Sequence, residues 1–130
     1  MPHISIEYTR NIAGILDIGA LVDALHSSAQ GLNIFPPWGI RTFAAEIRTF
    51  RVADDGLTGT NGYIHVRVKV AGGRSDAVMQ KIVDTFELAL STRIGSVCRA
   101  QPVGYQLEIF PFDPALTRSG GSIAGRNTPS

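Results

Sequence analysis

Apolar and polar residues along this chain follow two periods, and the switches between them mark its elements. Over residues 3–8 the pattern alternates, with Ile4, Ile6 and Tyr8 on one side and His3, Ser5 and Glu7 on the other. Period two predicts a strand with one face in a core. After a turn or loose start at residues 11–14 the period lengthens. Ile18, Leu21, Val22, Leu25 and Ala29 recur at spacings of three and four. That stripe predicts a helix to about Gln30, capped by Asp17 and closed by Gly31 as the residue just past its end. His26 falls one position past the stripe, which suits a boundary or solvent-facing histidine. Phe35-Pro36-Pro37-Trp38-Gly39 is a rigid connector that ends any helix. Residues 40–53 read as strand. Their apolar positions shift from odd (Phe43, Ala45, Ile47) to even (Phe50, Val52), which predicts a bulge or bend.

A polar turn region over residues 54–62 precedes the clearest strand, residues 63–70. Ile64, Val66, Val68 and Val70 form one face, and Tyr63, His65, Arg67 and Lys69 the other. Gly72-Gly73 breaks it. Ser75 then caps a second, longer helix over residues 76–97, with Asp76 in its first turn, where a negative charge suits the helix dipole. Val78, Ile82, Phe86, Leu90, Ile94 and Val97 make its stripe, and Cys98 reads as a small buried hydrophobe at its end. Residues 105–112 form a last strand, ended by Pro111 and Pro114. From Arg118 onward the chain is Ser, Gly, Arg, Asn and Pro with little else apolar. That composition predicts a segment that is disordered, or ordered only against a partner.

The organisation is α+β: two β-α-β units that form a four-stranded sheet with two helices on one face. The domain spans residues 1–116, followed by a flexible tail over residues 117–130. Each unit is expected to cross over with a right hand. The other sheet face, with Tyr63, His65, Arg67, Lys69 and Glu7, is left without a layer. Self-association through it is the natural remedy.

Composition narrows the functional classes. With 130 residues, 44% hydrophobic and 18% charged, the chain has enough material for one core. A net charge of +1 without a basic block gives no footprint for nucleic acid or an anionic membrane. One cysteine rules out an internal disulfide. No signal-peptide pattern and no span-length apolar run is present, so a cytoplasmic location is expected.

Candidate chemistry is sparse. Gly72-Gly73-Arg74-Ser75 has too few glycines for a phosphate loop. The histidines lack metal-ligand spacing, although His3 and His65 share a parity and could meet across strands. Pro2 has two readings. It is a tolerated strand start, or, once Met1 is removed, a rigid secondary amine. Apolar burial or a neighbouring cation would lower the pKa of such an amine and make it a general base near neutrality. Arg41 opens a strand among apolar residues and needs a partner. That partner is a structural carboxylate (Glu7, Glu46 or Asp54) or a substrate carboxylate gripped by the guanidinium fork.

Met1-Pro2-His3, Glu7, Asn11 and the run Ile34-Phe35-Pro36-Pro37-Trp38-Gly39-Ile40-Arg41 resemble the 5-carboxymethyl-2-hydroxymuconate isomerases of the tautomerase superfamily. The resemblance continues through His65, Gly73-Arg74-Ser75, Phe86-Glu87-Leu88, Glu108-Ile109, Asp113-Pro114 and Leu116. It implies a homotrimer with sheets packed around a threefold axis and Pro2 as catalytic base. It also implies that Arg41 binds a substrate carboxylate, that no metal or organic cofactor is used, and that a proton is moved in an unsaturated enol carboxylate of homoprotocatechuate (4-hydroxyphenylacetate) degradation. Phe35, Trp38, Phe43 and Phe110 are candidates for the apolar wall or for plain core. Phe43 departs from the family pattern, which has a second arginine there. Trp38 stands where a small residue is expected, and the Gly/Ser-rich tail replaces a more apolar ending. These departures keep open a simpler 2-hydroxymuconate or a phenylpyruvate-like enol as substrate, and a non-catalytic trimeric ligand-binding protein.

Overall fold

A computed structural model describes residues 1–53 and 59–124 of the chain. Its strands are β1 (His3–Thr9), β2 (Arg41–Ile47), β3 (Gly62–Ala71) and β4 (Val103–Phe112). Its helices are α1 (Ile18–Gly31) and α2 (Asp76–Ala100). The sheet order is β2-β1-β3-β4. β1 and β2 run parallel around α1, and β3 and β4 run parallel around α2, so each half is a β-α-β unit. The halves meet where β1 pairs antiparallel with β3.

One sheet face supplies Ile4, Ile6, Ile64, Val66, Val68 and Val70 to the core, all essentially inaccessible. Leu21, Leu25 and Ala29 of α1 and Ile82, Phe86, Leu90 and Ile94 of α2 close over them. The caps form as the sequence predicts. Asp17 accepts from the Ala20 amide at 3.0 Å and Ser75 from the Val78 amide at 3.2 Å. The uncovered face is also as expected: His3, Ser5 and Glu7 lie opposite Lys69, Arg67 and His65.

Several local expectations are corrected. α1 runs through Gly31, and the left-handed residue beyond it is Asn33 (φ 57°), whose side-chain amide donates to the Gly31 carbonyl at 3.2 Å. Asparagine tolerates that conformation by bonding locally. β2 stops at Ile47 without a bulge, and the chain bends at Thr49, where the shift in parity placed a bulge or bend. Its partner β1 ends at Thr9, opposite Ile47, and turns into a 3₁₀ segment (Arg10–Ile12), so no ladder remains for Phe50 and Val52 to join. The odd positions of β2 face the open side: Phe43 pairs with Ser5 and is 61% exposed. Pro111 lies inside β4 rather than ending it, which an edge strand allows because one side of its backbone needs no partner. Cys98 is exposed, because Val97 is the last buried residue of the α2 stripe and the final turn projects past the core. His3 and His65 do not meet: His3 lies opposite Lys69 and His65 opposite Glu7. The polar turn at residues 54–58 and the tail beyond residue 124 lie outside the described residues.

Candidate active site

Two parallel strands begin at the same end of a sheet. The α1 crossover therefore brings the chain's N-terminus beside Arg41, with His3 directly opposite it in the ladder. Pro2 is buried, and its carbonyl accepts from the Arg41 amide at 3.2 Å, extending the pairing by one step. The connector before β2 is anchored by buried Phe35 and Ile40. Between them Pro37–Gly39 forms a 3₁₀ turn, entered from an extended Pro36. With Met1 in place Gly39 has no room for a side chain: a Cβ would collide with the backbone nitrogen of Met1 and crowd Pro36 Cγ at 3.3 Å.

The N-terminal end of the sheet opens into a groove of about 890 Å³. Met1, Trp38, Gly39 and Arg41, His26 and Gln30 of α1, and residues 118–121 are among those that line it. No aspartate or glutamate is among the described residues that line it. Arg41 donates through Nε to His3 Nδ1 at 2.7 Å and through Nη2 to the Met1 sulfur at 3.3 Å. The carboxylates weighed as its partners are engaged elsewhere: Glu7 contacts His65 at 3.3 Å and Glu46 pairs with Arg48 at 3.5 Å. Asp54 lies outside the described residues.

A second guanidinium approaches from the other half. Because β3 runs antiparallel to β1, its C-terminal end lies beside the start of β1. The Gly72-Gly73 turn, with Gly73 at φ 97°, delivers Arg74 there. Its Nη1 donates to the Ala71 carbonyl at 2.6 Å, and its Cζ lies 5.2 Å from the centroid of the Phe35 ring. The terminal amine is held below its ordinary value by burial first, then by the positive charges of Arg41 and Arg74. Each cause disfavours the ammonium form. That amine belongs to Met1; removal of Met1 moves it one residue inward, to buried Pro2.

The sequence matches the 5-carboxymethyl-2-hydroxymuconate isomerase family over residues 2–126. The chain belongs to that family. It is 25% identical over 118 residues to the 5-carboxymethyl-2-hydroxymuconate Delta-isomerase of Escherichia coli, covering 89% of this chain and 90% of that protein. A solved 5-carboxymethyl-2-hydroxymuconate isomerase from Deinococcus radiodurans R1 superposes with a TM-score of 0.88 at 26% identity, over 98% of this chain and 95% of the other. A fused 4-OT symmetric trimer shares the fold at 18% identity, with a TM-score of 0.59 over 84% of this chain and 85% of that one. The expectation of an isomerase of the tautomerase superfamily is thereby borne out.

Within this isomerase family member the aromatic candidates separate. Trp38, 43% exposed, lines the groove, and Phe35 lies in the core under Arg74. Phe43 and Phe110 lie on the open sheet face. Phe43 stands edge-on to His3, and Phe110 lies under Arg67, whose Cζ is 5.4 Å from its centroid. A shallower cavity of about 490 Å³ opens on that face among Ser5, Glu7, Phe43, His65 and Arg67. Its charges are already paired: Glu108 contacts His65 at 2.9 Å and Arg67 at 3.2 Å. The N-terminal groove is therefore the better candidate, since its cations lack carboxylate partners among the described residues. Among the described residues no three histidine, cysteine or acidic side chains are grouped to hold a metal, and no helix is long and apolar enough to cross a membrane.

Two arginines near the N-terminus escaped the sequence reading of sites. Arg74 sat in a motif weighed for phosphate and matched to the family but given no site role; its charge reaches the terminal amine through the β1–β3 pairing, which no local pattern encodes. Arg118 falls in the stretch expected to be flexible; it lines the groove, with Nη1 donating to the carbonyls of Ala115 and Thr117, each at 3.1 Å.

Proposed function

We propose that this chain, with Met1 removed, is a cofactor-free isomerase that moves a proton within an unsaturated 2-hydroxy (enol) carboxylate. Pro2 is the general base and Arg41 the carboxylate-binding cation. The observation that carries the reading is the placement of the N-terminus beside Arg41 in a groove with no lining carboxylate among the described residues, where burial and positive charge lower the pKa of the terminal amine. A lowered pKa enlarges the neutral fraction of the amine, the form that can accept a proton.

In the proposed reaction the neutral Pro2 nitrogen takes the enol O–H proton of the substrate. Negative charge spreads over the dienolate, and Arg41 stabilises it, or the adjacent carboxylate, from the mouth of the groove. The proline ammonium then returns its proton to a conjugated carbon. One proton leaves and one is restored, so nothing is oxidised or reduced overall. Protonating the amine beforehand removes the base, so kcat falls as pH drops through the lowered amine pKa. Trp38 supplies an apolar wall and Phe35 packs against Arg74, whereas Phe43 and Phe110, proposed with them, stand on the open sheet face.

The physiological substrate is proposed to resemble the 5-carboxymethyl-2-hydroxymuconate for which the Escherichia coli relative is named. Phe43, apolar and on the open face, favours including the simpler 2-hydroxymuconate. The homotrimer is proposed from the open sheet face and from the trimeric fold neighbours. A cytoplasmic site of action, with neither nucleic acid nor membrane as partner, completes the proposal.

The test has two parts. Intact mass of the purified protein should show loss of Met1. Ketonisation of 2-hydroxymuconate or phenylenolpyruvate should then be catalysed without added metal or cofactor. A chain that keeps Met1, or that turns over neither enol, contradicts the proposal and leaves a ligand-binding protein.

A further inference from the structure

Arginine is a long side chain with about 2 kcal/mol of rotamer entropy. An exposed one at the mouth of a groove needs something to aim it. Arg41 is exposed, yet it is held from one side by His3, whose Nδ1 accepts from Arg41 Nε at 2.7 Å. The two residues stand directly opposite each other in the β1–β2 ladder. The His3 ring is itself fixed: Phe43 meets it edge-on, with ring centroids 4.9 Å apart and planes at 83°. A chain of contacts thus runs from Phe43 through His3 to Arg41 and ends with Arg41 Nη2 directed at Met1, where the groove begins.

A neutral acceptor differs from a carboxylate in this position. A carboxylate would aim the guanidinium and also neutralise it, weakening its attraction for an anionic substrate. A neutral imidazole aims it and leaves the full charge. We infer that His3 is a positioning residue for Arg41, a neutral ring unprotonated at Nδ1 that sets the guanidinium's direction for the substrate carboxylate. The inference rests on the proposed role of Arg41.

The surroundings favour that protonation state. His3 faces Arg41 on β2 and Lys69 across the ladder on β3. Arg67, next along β3, is engaged by Glu108. Burial, Arg41 and Lys69, in that order, hold His3 below its ordinary value. With Nδ1 as acceptor, the ring proton of the neutral form sits on Nε2. Protonating His3 places a hydrogen on Nδ1. The Arg41 donor then loses its acceptor and meets a like charge. Carboxylate binding therefore weakens as pH falls through the His3 pKa.

Steady-state ketonisation of 2-hydroxymuconate, followed across the range where imidazole titrates, tests this with His3→Asn and His3→Leu. The Oδ1 of asparagine can take the place of Nδ1 and does not titrate. Wild type should show KM rising on the acid side. His3→Asn should keep a near-wild-type KM at neutral pH and lose that rise. His3→Leu should have a KM about tenfold above the neutral-pH wild-type value, the scale of one hydrogen bond to a charged group, without the acid-side rise. The acid limb of kcat, set by the amine, should persist in all three. A wild-type KM in His3→Leu, an acid-side rise retained in His3→Asn, or identical behaviour of the two variants would overturn the inference. A wild type without activity would instead refute the isomerase proposal. Nitrogen-15 NMR of the His3 ring then still decides the pair, with Nε2–H supporting it and Nδ1–H contradicting it.

Discussion

The two β-α-β halves follow the same path, yet only one of them has a site built into its crossover. In the second half α2 has 25 residues, and Gln101-Pro102 alone separates it from β4. In the first half α1 has 14 residues, followed by a connector of nine before β2 that includes the Pro37–Gly39 3₁₀ turn. A helix satisfies its own backbone and packs one stripe. An irregular connector presents backbone and side chains where a helix would have closed the space. Trp38 and Gly39 of that connector line the groove beside the N-terminus. The second half contributes a long buried stripe and, from the turn that opens its helix, Arg74, whose charge reaches the terminal amine. The proposed chemistry thus draws mainly on the first half, and the longer buried stripe belongs to the second.

That division can be broken by substitution. The largest effect is expected from Pro2→Ala, which leaves a flexible primary amine in place of the ring. It should lower kcat by about 10²- to 10⁴-fold, the range for loss of a positioned base, with little change in Tm. Phe86→Ala should do the reverse. Phe86 is fully buried in α2, and its truncation should cost about 3–5 kcal/mol in denaturant unfolding while kcat/KM per folded molecule stays near wild type. Arg41→Ala should raise KM about 10- to 100-fold for an enol carboxylate, the loss of a charge-assisted contact. Gly39→Ala is subtler. Its Cβ would enter the space next to Met1, which after processing lies beside the Pro2 nitrogen. It should lower kcat/KM about tenfold by misplacing the substrate, with unfolding unchanged. A Phe86 variant that loses turnover per folded molecule, or a Gly39 variant that loses only stability, would erase the distinction between the halves.

The fold was legible because its signals are local. Alternation in β1 and β3, helical stripes in α1 and α2, and the caps Asp17 and Ser75 each lie within a few residues of what they determine. β2 was misjudged because its end is set by its partner: the ladder stops where β1 turns away after Thr9. Phe43 and Ala45 looked like a core parity although they face the open side. For the site, Pro2 and Arg41 were readable from position and context, and parallel pairing brings them together. Arg74 and the holding of Arg41 by His3 were not readable, since both depend on which strands are neighbours.

The most direct test of the central claim is the pKa of the N-terminal amine in the processed protein, followed by pH titration of the Pro2 nitrogen-15 resonance. The ordinary α-amino value is about 8. The account predicts a Pro2 value clearly below it. It further predicts that Arg41→Leu and Arg74→Leu each raise the value without restoring it fully, because burial remains the larger cause. An amine that titrates at or above the ordinary value, or one that ignores both arginines, would contradict it.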